Sequence, residues 1–121
     1  MNIMMFIHKT EPSDYRTKAT DATIKDIIKS ELKFQGIFAD LKNIDVSEVT
    51  DMSDLFYGLA FNGNISEWDV SNVKNMNKMF YGSTFNGDIS HWNVKNVKHH
   101  AEFCDESPLE NQPDKWPKFP K

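Results

Sequence analysis

The chain repeats itself. The stretch Phe61 to Thr84, FNGNISEWDVSNVKNMNKMFYGST, is followed at once by FNGDISHWNVKNVK from Phe85. Trp68 and Trp92 lie 24 residues apart, as do Phe61 and Phe85. Shifting back by 24 brings Val46, Val49, Met52, Phe56, Tyr57 and Gly58 under Val70, Val73, Met76, Phe80, Tyr81 and Gly82, with Ile44 in the tryptophan position. Shifting forward brings Trp116 under Trp92. A short fixed period means that each unit buries its apolar face only against its neighbours, so the ends of the array need caps.

Within a unit, Ile65, Trp68 and Val70 read as L-x-x-L-x-L, as do Leu41, Ile44, Val46 before and Ile89, Trp92, Val94 after. Such a pattern predicts a short strand near Glu67 to Val70. Ser71 or Asn72 then predicts a helix start, with Val73, Met76, Met79 and Phe80 on one face. Tyr81–Gly82 closes it, and Asn62–Gly63 or Asn86–Gly87 turns the chain into the next unit. The expected fold class is α/β: a small right-handed leucine-rich-repeat-like solenoid with 24-residue repeats, 37–60, 61–84 and 85–106, and terminal caps.

The flanks read as those caps. Asn2 to His8, NIMMFIH, has strand length, and Pro12, Ser13 and Asp14 signal a turn. Thr20–Asp21 offers an N-cap to a helix with Ile24, Ile27, Ile28 and Leu32 on one face and Gly36 at its end. Residues 1–36 are thus an N-terminal strand–helix cap. The third unit degrades: His100, Phe103, Cys104, Asp105 and Glu106 stand where Met76, Met79, Phe80, Tyr81 and Gly82 stood. Pro113 and Pro117 blunt the last edge, making 107–121 a C-terminal cap and tail. At 121 residues all of this is one domain.

Charge and cysteine content narrow the function. The net charge is −4, and Phe34 to Ala60 holds Lys42 alone against Asp40, Asp45, Glu48, Asp51 and Asp54. This composition argues against nucleic acid as a direct partner. The single cysteine, Cys104, excludes an internal disulfide. No apolar run approaches membrane-spanning length, and Met1–Ile7 lacks the charged start of a signal peptide. The chain as given reads as a cytoplasmic, soluble monomer.

The strings FNGNISEWDVSNVKNMNKMFYGS, FNGDISHWNVKNV and IDVSEVTDMSDLFYG resemble the BspA-like leucine-rich repeats of bacterial surface proteins. The resemblance covers about Leu32 to Trp116, in register, and the SPLENQPDKW segment is similar to the end pieces of short members. It implies a repeat fold used for adhesion or protein binding, with no cofactor.

A strand facing inward with Trp and Val faces outward with the residues between them. The outward set is Asn43, Asp45 and Ser47, then Glu67, Asp69 and Ser71, then His91, Asn93 and Lys95. Stacked strands would align these into columns about 4.8 Å apart, an acidic groove for a basic or polar protein surface. The same Asp-Val-Ser also reads as turn grammar, with the Asp and Ser satisfying local backbone donors. His99, His100, Glu102 and Cys104 suggest a zinc site, but His100 and Cys104 occupy core positions of the repeat. Nucleophilic catalysis through Cys104 lacks a cleft and an orienting third group. The expected function is a non-enzymatic protein-binding module without metal or cofactor. The alternative is a small acidic phage-type inhibitor, anti-CRISPR-like, that blocks a cationic nucleic-acid-binding surface.

Overall fold

A computed structural model describes residues 17–121. The strand expected over Asn2–His8 lies outside them. The elements are β1 (Thr17–Lys18), α1 (Ile24–Gln35), β2 (Ile44–Asp45) and two 3-10 helices, Pro108–Asn111 and Pro113–Lys115. Strands β1 and β2 pair in parallel, Thr17 with Ile44 and Lys18 with Asp45.

The helix follows its apolar spacing. Ile24 and Ile28 are buried, Ile27 and Leu32 pack against the core, and Gly36 ends it. It starts later than expected, because Asp21 is engaged elsewhere. The Asp21 carboxylate accepts the Thr50 N–H at 2.7 Å, the Thr50 hydroxyl at 2.6 Å and the Asp51 N–H at 3.2 Å.

The expected α/β leucine-rich-repeat solenoid is not formed. Among the described residues α1 is the one α-helix, and the two strands have two residues each. Glu67 to Val70 belongs to no strand, so among the described residues there is no concave sheet, and after an isolated bridge at Asn75 residues 77–82 are a run of turns. The reason lies in the backbone. Asp54, Lys78 and Glu102 have φ of 59°, 55° and 54°, and Gly58, Gly82 and Glu106 have 67°, 69° and 63°. Each is left-handed, and a right-handed helix cannot pass through such a residue.

Backbone hydrogen bonds account for this conformation. From Met52 to Leu59 the N–H groups alternate in direction. Those of Met52, Asp54, Phe56 and Gly58 donate to the carbonyls of Asn75, Asn77, Met79 and Tyr81, at 2.8 to 3.0 Å. Those of Leu55, Tyr57 and Leu59 donate three residues back within their own turns, and that of Ser53 donates to Asp51 Oδ1. The same alternation runs from Met76 to Ser83, toward His99, Ala101, Phe103 and Asp105. A buried segment must satisfy its donors, and a row of turns does so as completely as a helix would.

The 24-residue spacing appears as stacks and single bonds. Phe56 stacks on Phe80 at 5.4 Å, Phe61 on Phe85 at 5.7 Å and Trp68 on Trp92 at 6.4 Å. The indole N–H of Trp68 donates to Leu41 O and that of Trp92 to Ile65 O. Phe61, Ile65, Trp68, Val70, Val73, Met76, Met79 and Phe80 are all buried in one continuous core. Trp116 breaks the series: it is half-buried, and its indole donates to Leu109 O.

Candidate functional site

The outward residues expected to bind a partner are engaged mostly within the chain. Asp45 Oδ1 accepts the N–H and hydroxyl of Ser47, and Asp69 Oδ1 those of Ser71, at 2.6 to 3.1 Å. Asn93 Oδ1 accepts the Lys95 N–H. The Ser47 and Ser71 carbonyls accept the side-chain amides of Asn72 and Asn96. The Asn43 carbonyl accepts from Thr17, and His91 Nε2 bonds to Ser66 O at 2.6 Å. Glu67, Asp69, His91, Asn93 and Lys95 remain exposed beside the stacked tryptophans. β1 covers the first unit of this row, and Lys18 meets Glu48 at 3.1 Å.

His100 and Cys104 are not on a helix, so the one-turn spacing that would join them at a metal does not arise. His100 lies flat on Phe119, with centroids 4.1 Å apart. Cys104 is buried, and burial, with Asp105 and Glu110 adding to it, pushes its thiol up to about 12. At neutral pH it is a protonated thiol, not a nucleophile. Among the described residues no group of three His, Cys, Asp or Glu is placed to hold a metal ion.

A concavity lies elsewhere, between α1 and the first row of turns. It holds about 590 Å³ and is lined by Lys25 and Lys29 of α1, Asp54, Leu55, Tyr57 and Leu59 of the turns, and Lys78 of the next row. Lys25 and Lys29 are one helical turn apart, so both project from one flank. Neither makes an ion pair among the described residues. Lys78 sits 3.6 Å from Glu102 and 5.9 Å from the centre of the Tyr81 ring. Tyr57 is 49% exposed and stacks on Tyr81 at 5.3 Å.

The backbone of the groove carries a further feature. The carbonyls of Asn77, Met79 and Tyr81 accept from the preceding row. Their counterparts, Ser53, Leu55 and Tyr57, have no row before them, and their carbonyls accept no hydrogen bond among the described residues. Residue spacing does not reveal this groove, because its parts come from segments far apart in the chain. The available signals are the Lys25–Lys29 pair and the Tyr57–Tyr81 register. Separately, Phe34, Ile37 and Phe38 are exposed at the end of α1, by 72%, 46% and 71%.

Fold and groove together define a turn-built scaffold, flanked by one helix, with a lysine-walled groove beside that helix. The chain belongs to the family described as Mycoplasma protein of unknown function, DUF285, which matches residues 23–118. No curated protein and no solved structure matches it.

Proposed function

We propose that this chain is a non-enzymatic protein-binding module. The kinship with BspA-like repeats belongs to the same proposal and rests on the repeated FNG…W…V strings, not on the fold. The observation that supports the binding reading is the groove beside α1. Its ammonium groups at Lys25 and Lys29, its exposed Tyr57 face and its open carbonyls are groups that the packing of the molecule leaves unused. Stacking on Tyr81 keeps the Tyr57 ring in place, which lowers the ordering cost of association. The buried, protonated Cys104 favours binding over covalent chemistry.

The test is capture of a partner from a lysate of the cells that express the protein, followed by titration of the two purified proteins. A saturable complex with fixed stoichiometry is expected. Capture that yields no protein able to bind the folded chain in purified form would refute the proposal.

A further inference from the structure

We infer that the groove between α1 and the Asp54–Leu59 turns binds an extended acidic peptide segment of a partner protein. The inference rests on the protein-binding reading above and specifies the chemistry of its partner.

Three properties of the groove converge on that ligand. The first is backbone complementarity. The carbonyls of Ser53, Leu55 and Tyr57 occur at every second residue and lack donors among the described residues. In the next row the equivalent carbonyls take N–H groups from every second residue of the row before. An extended peptide also presents its N–H groups on one edge at every second residue. It can therefore add to this row as peptides add to sheet edges, reaching the carbonyls of Ser53 and Tyr57 first, since Leu55 is only 3% exposed.

The second property is charge. Lys25 and Lys29 have no carboxylate partner among the described residues, Lys78 adds a third ammonium 3.6 Å from Glu102, and Asp54 is the carboxylate that lines the groove. This is a local basic site on a chain whose net charge is −4. Charge complementarity of this kind selects partners and speeds encounter. The third property is the apolar wall of Tyr57 and Leu59, which suits an aromatic or aliphatic side chain between carboxylates. A bare anion such as phosphate would satisfy the lysines alone. It would leave the carbonyl row without donors and would face its negative ends. A peptide brings N–H groups and carboxylates together.

The probe is a fluorescein-labelled, end-blocked peptide alternating Asp or Glu with Tyr or Leu, titrated with the folded protein by fluorescence anisotropy. We expect saturable one-to-one binding that weakens about tenfold between low and high salt. Lys25→Glu/Lys29→Glu should weaken it about tenfold or more while the variant keeps the folded circular dichroism spectrum, since both side chains are exposed. N-methylation of alternate amides along one edge of the peptide should abolish binding, and along the other edge should not. Three results overturn the inference: no binding by the wild type, equal binding by the double variant, or equal tolerance of both methylation patterns. A captured partner that binds the double variant normally, but not Phe34→Ser/Phe38→Ser, would overturn the groove and leave the protein-binding reading standing. Absence of both peptide binding and a captured partner would overturn both.

Discussion

Replacing Asp21 with alanine removes one carboxylate that holds three donors of Thr50 and Asp51. In the later rows, Lys74 N–H bonds to Thr50 O at 2.7 Å and Lys98 N–H to Lys74 O at 2.8 Å. Thr50 has no preceding row, and Asp21 takes the place of the missing carbonyl. It accepts the Thr50 N–H, the Thr50 hydroxyl and, at a longer 3.2 Å, the Asp51 N–H. A bond to a charged acceptor contributes roughly 1.5–3 kcal/mol when well shielded, and the exposed Asp21 falls below that range, at about 1 kcal/mol for each of the two short bonds. Asp21→Ala should therefore cost about 2 kcal/mol, or about 8 °C in Tm at neutral pH for a domain of this size. The loss should depend on pH. Burial raises the Asp21 pKa, but the bonds from Thr50 and Asp51 outweigh it and hold the carboxyl below its ordinary 3.8. A lowered folded pKa gives stability that is present above the unfolded value and is lost as the pH falls through the folded one. Thermal melts of wild type and variant should differ fully at pH 7 and converge as the pH falls through the lowered pKa of Asp21, below its ordinary 3.8. A Tm change under about 1 °C at pH 7, or a gap that survives undiminished in acid, would refute the role given to Asp21.

Two glycines should respond differently to alanine. A Cβ on Gly63 would lie 1.9 Å from the Ala39 carbonyl oxygen and 2.7 Å from the Phe61 ring, so Gly63→Ala should cost about 3 kcal/mol or more in urea unfolding. A Cβ on Gly82 meets nothing closer than 3.7 Å, so Gly82→Ala should cost only about 1 kcal/mol from its left-handed φ. Trp68→Phe removes the indole N–H from Leu41 O, which keeps its bond from the Ile44 N–H, so the lost bond should cost about 0.5–1.5 kcal/mol in the same assay. Cys104 should resist iodoacetamide at pH 8 until denaturant is added, and fast alkylation of the folded protein by mass spectrometry would contradict its burial.

The core is legible in the repeat because burial depends on which positions are apolar, not on the backbone that joins them. Phe61, Ile65, Trp68 and Val70 must be inside whether the chain between them is a strand or a string of turns. The absence of the helix expected over Val73 to Phe80 is not recoverable in this way. The segment's apolar spacing fits a helical face, and the contrary signal is a left-handed residue at Asp54, Lys78 and Glu102. Aspartate tolerates that conformation moderately, whereas lysine and glutamate carry no preference for it. At Asp54 and Lys78 what stabilises it is the bond the N–H makes to a row that is adjacent only after folding. Asp-Val-Ser allowed two readings, and the bonds of Ser47 to Asp45 and Ser71 to Asp69 follow the turn grammar. Lys25, Tyr57 and Lys78 carry no mark in the sequence that they share a groove.

The direction of the turn ladder makes the two ends of the molecule chemically unlike. Over Met52 to Gly58 and Met76 to Gly82 the bonds between rows run from an N–H of one row to a carbonyl of the next, whereas those of Lys74 and Lys98 run back to the row before. One end therefore finishes in donors and the other in acceptors. At the donor end, Glu106 N–H is met by the Glu110 carboxylate at 3.0 Å, and Phe119 packs on His100 and Phe103. At the acceptor end the carbonyls of Ser53, Leu55 and Tyr57 have no such partner among the described residues. Aligned carbonyls carry negative partial charge, which favours cations nearby as it does at a helix C-terminus. That gives a physical reason for Lys25 and Lys29 to lie on the helical flank that lines this end. The lysines reduce the electrostatic cost of the open carbonyls without satisfying each of them in fixed geometry. An end left in this state is complementary to a backbone that supplies directed N–H groups and carries its own negative charge.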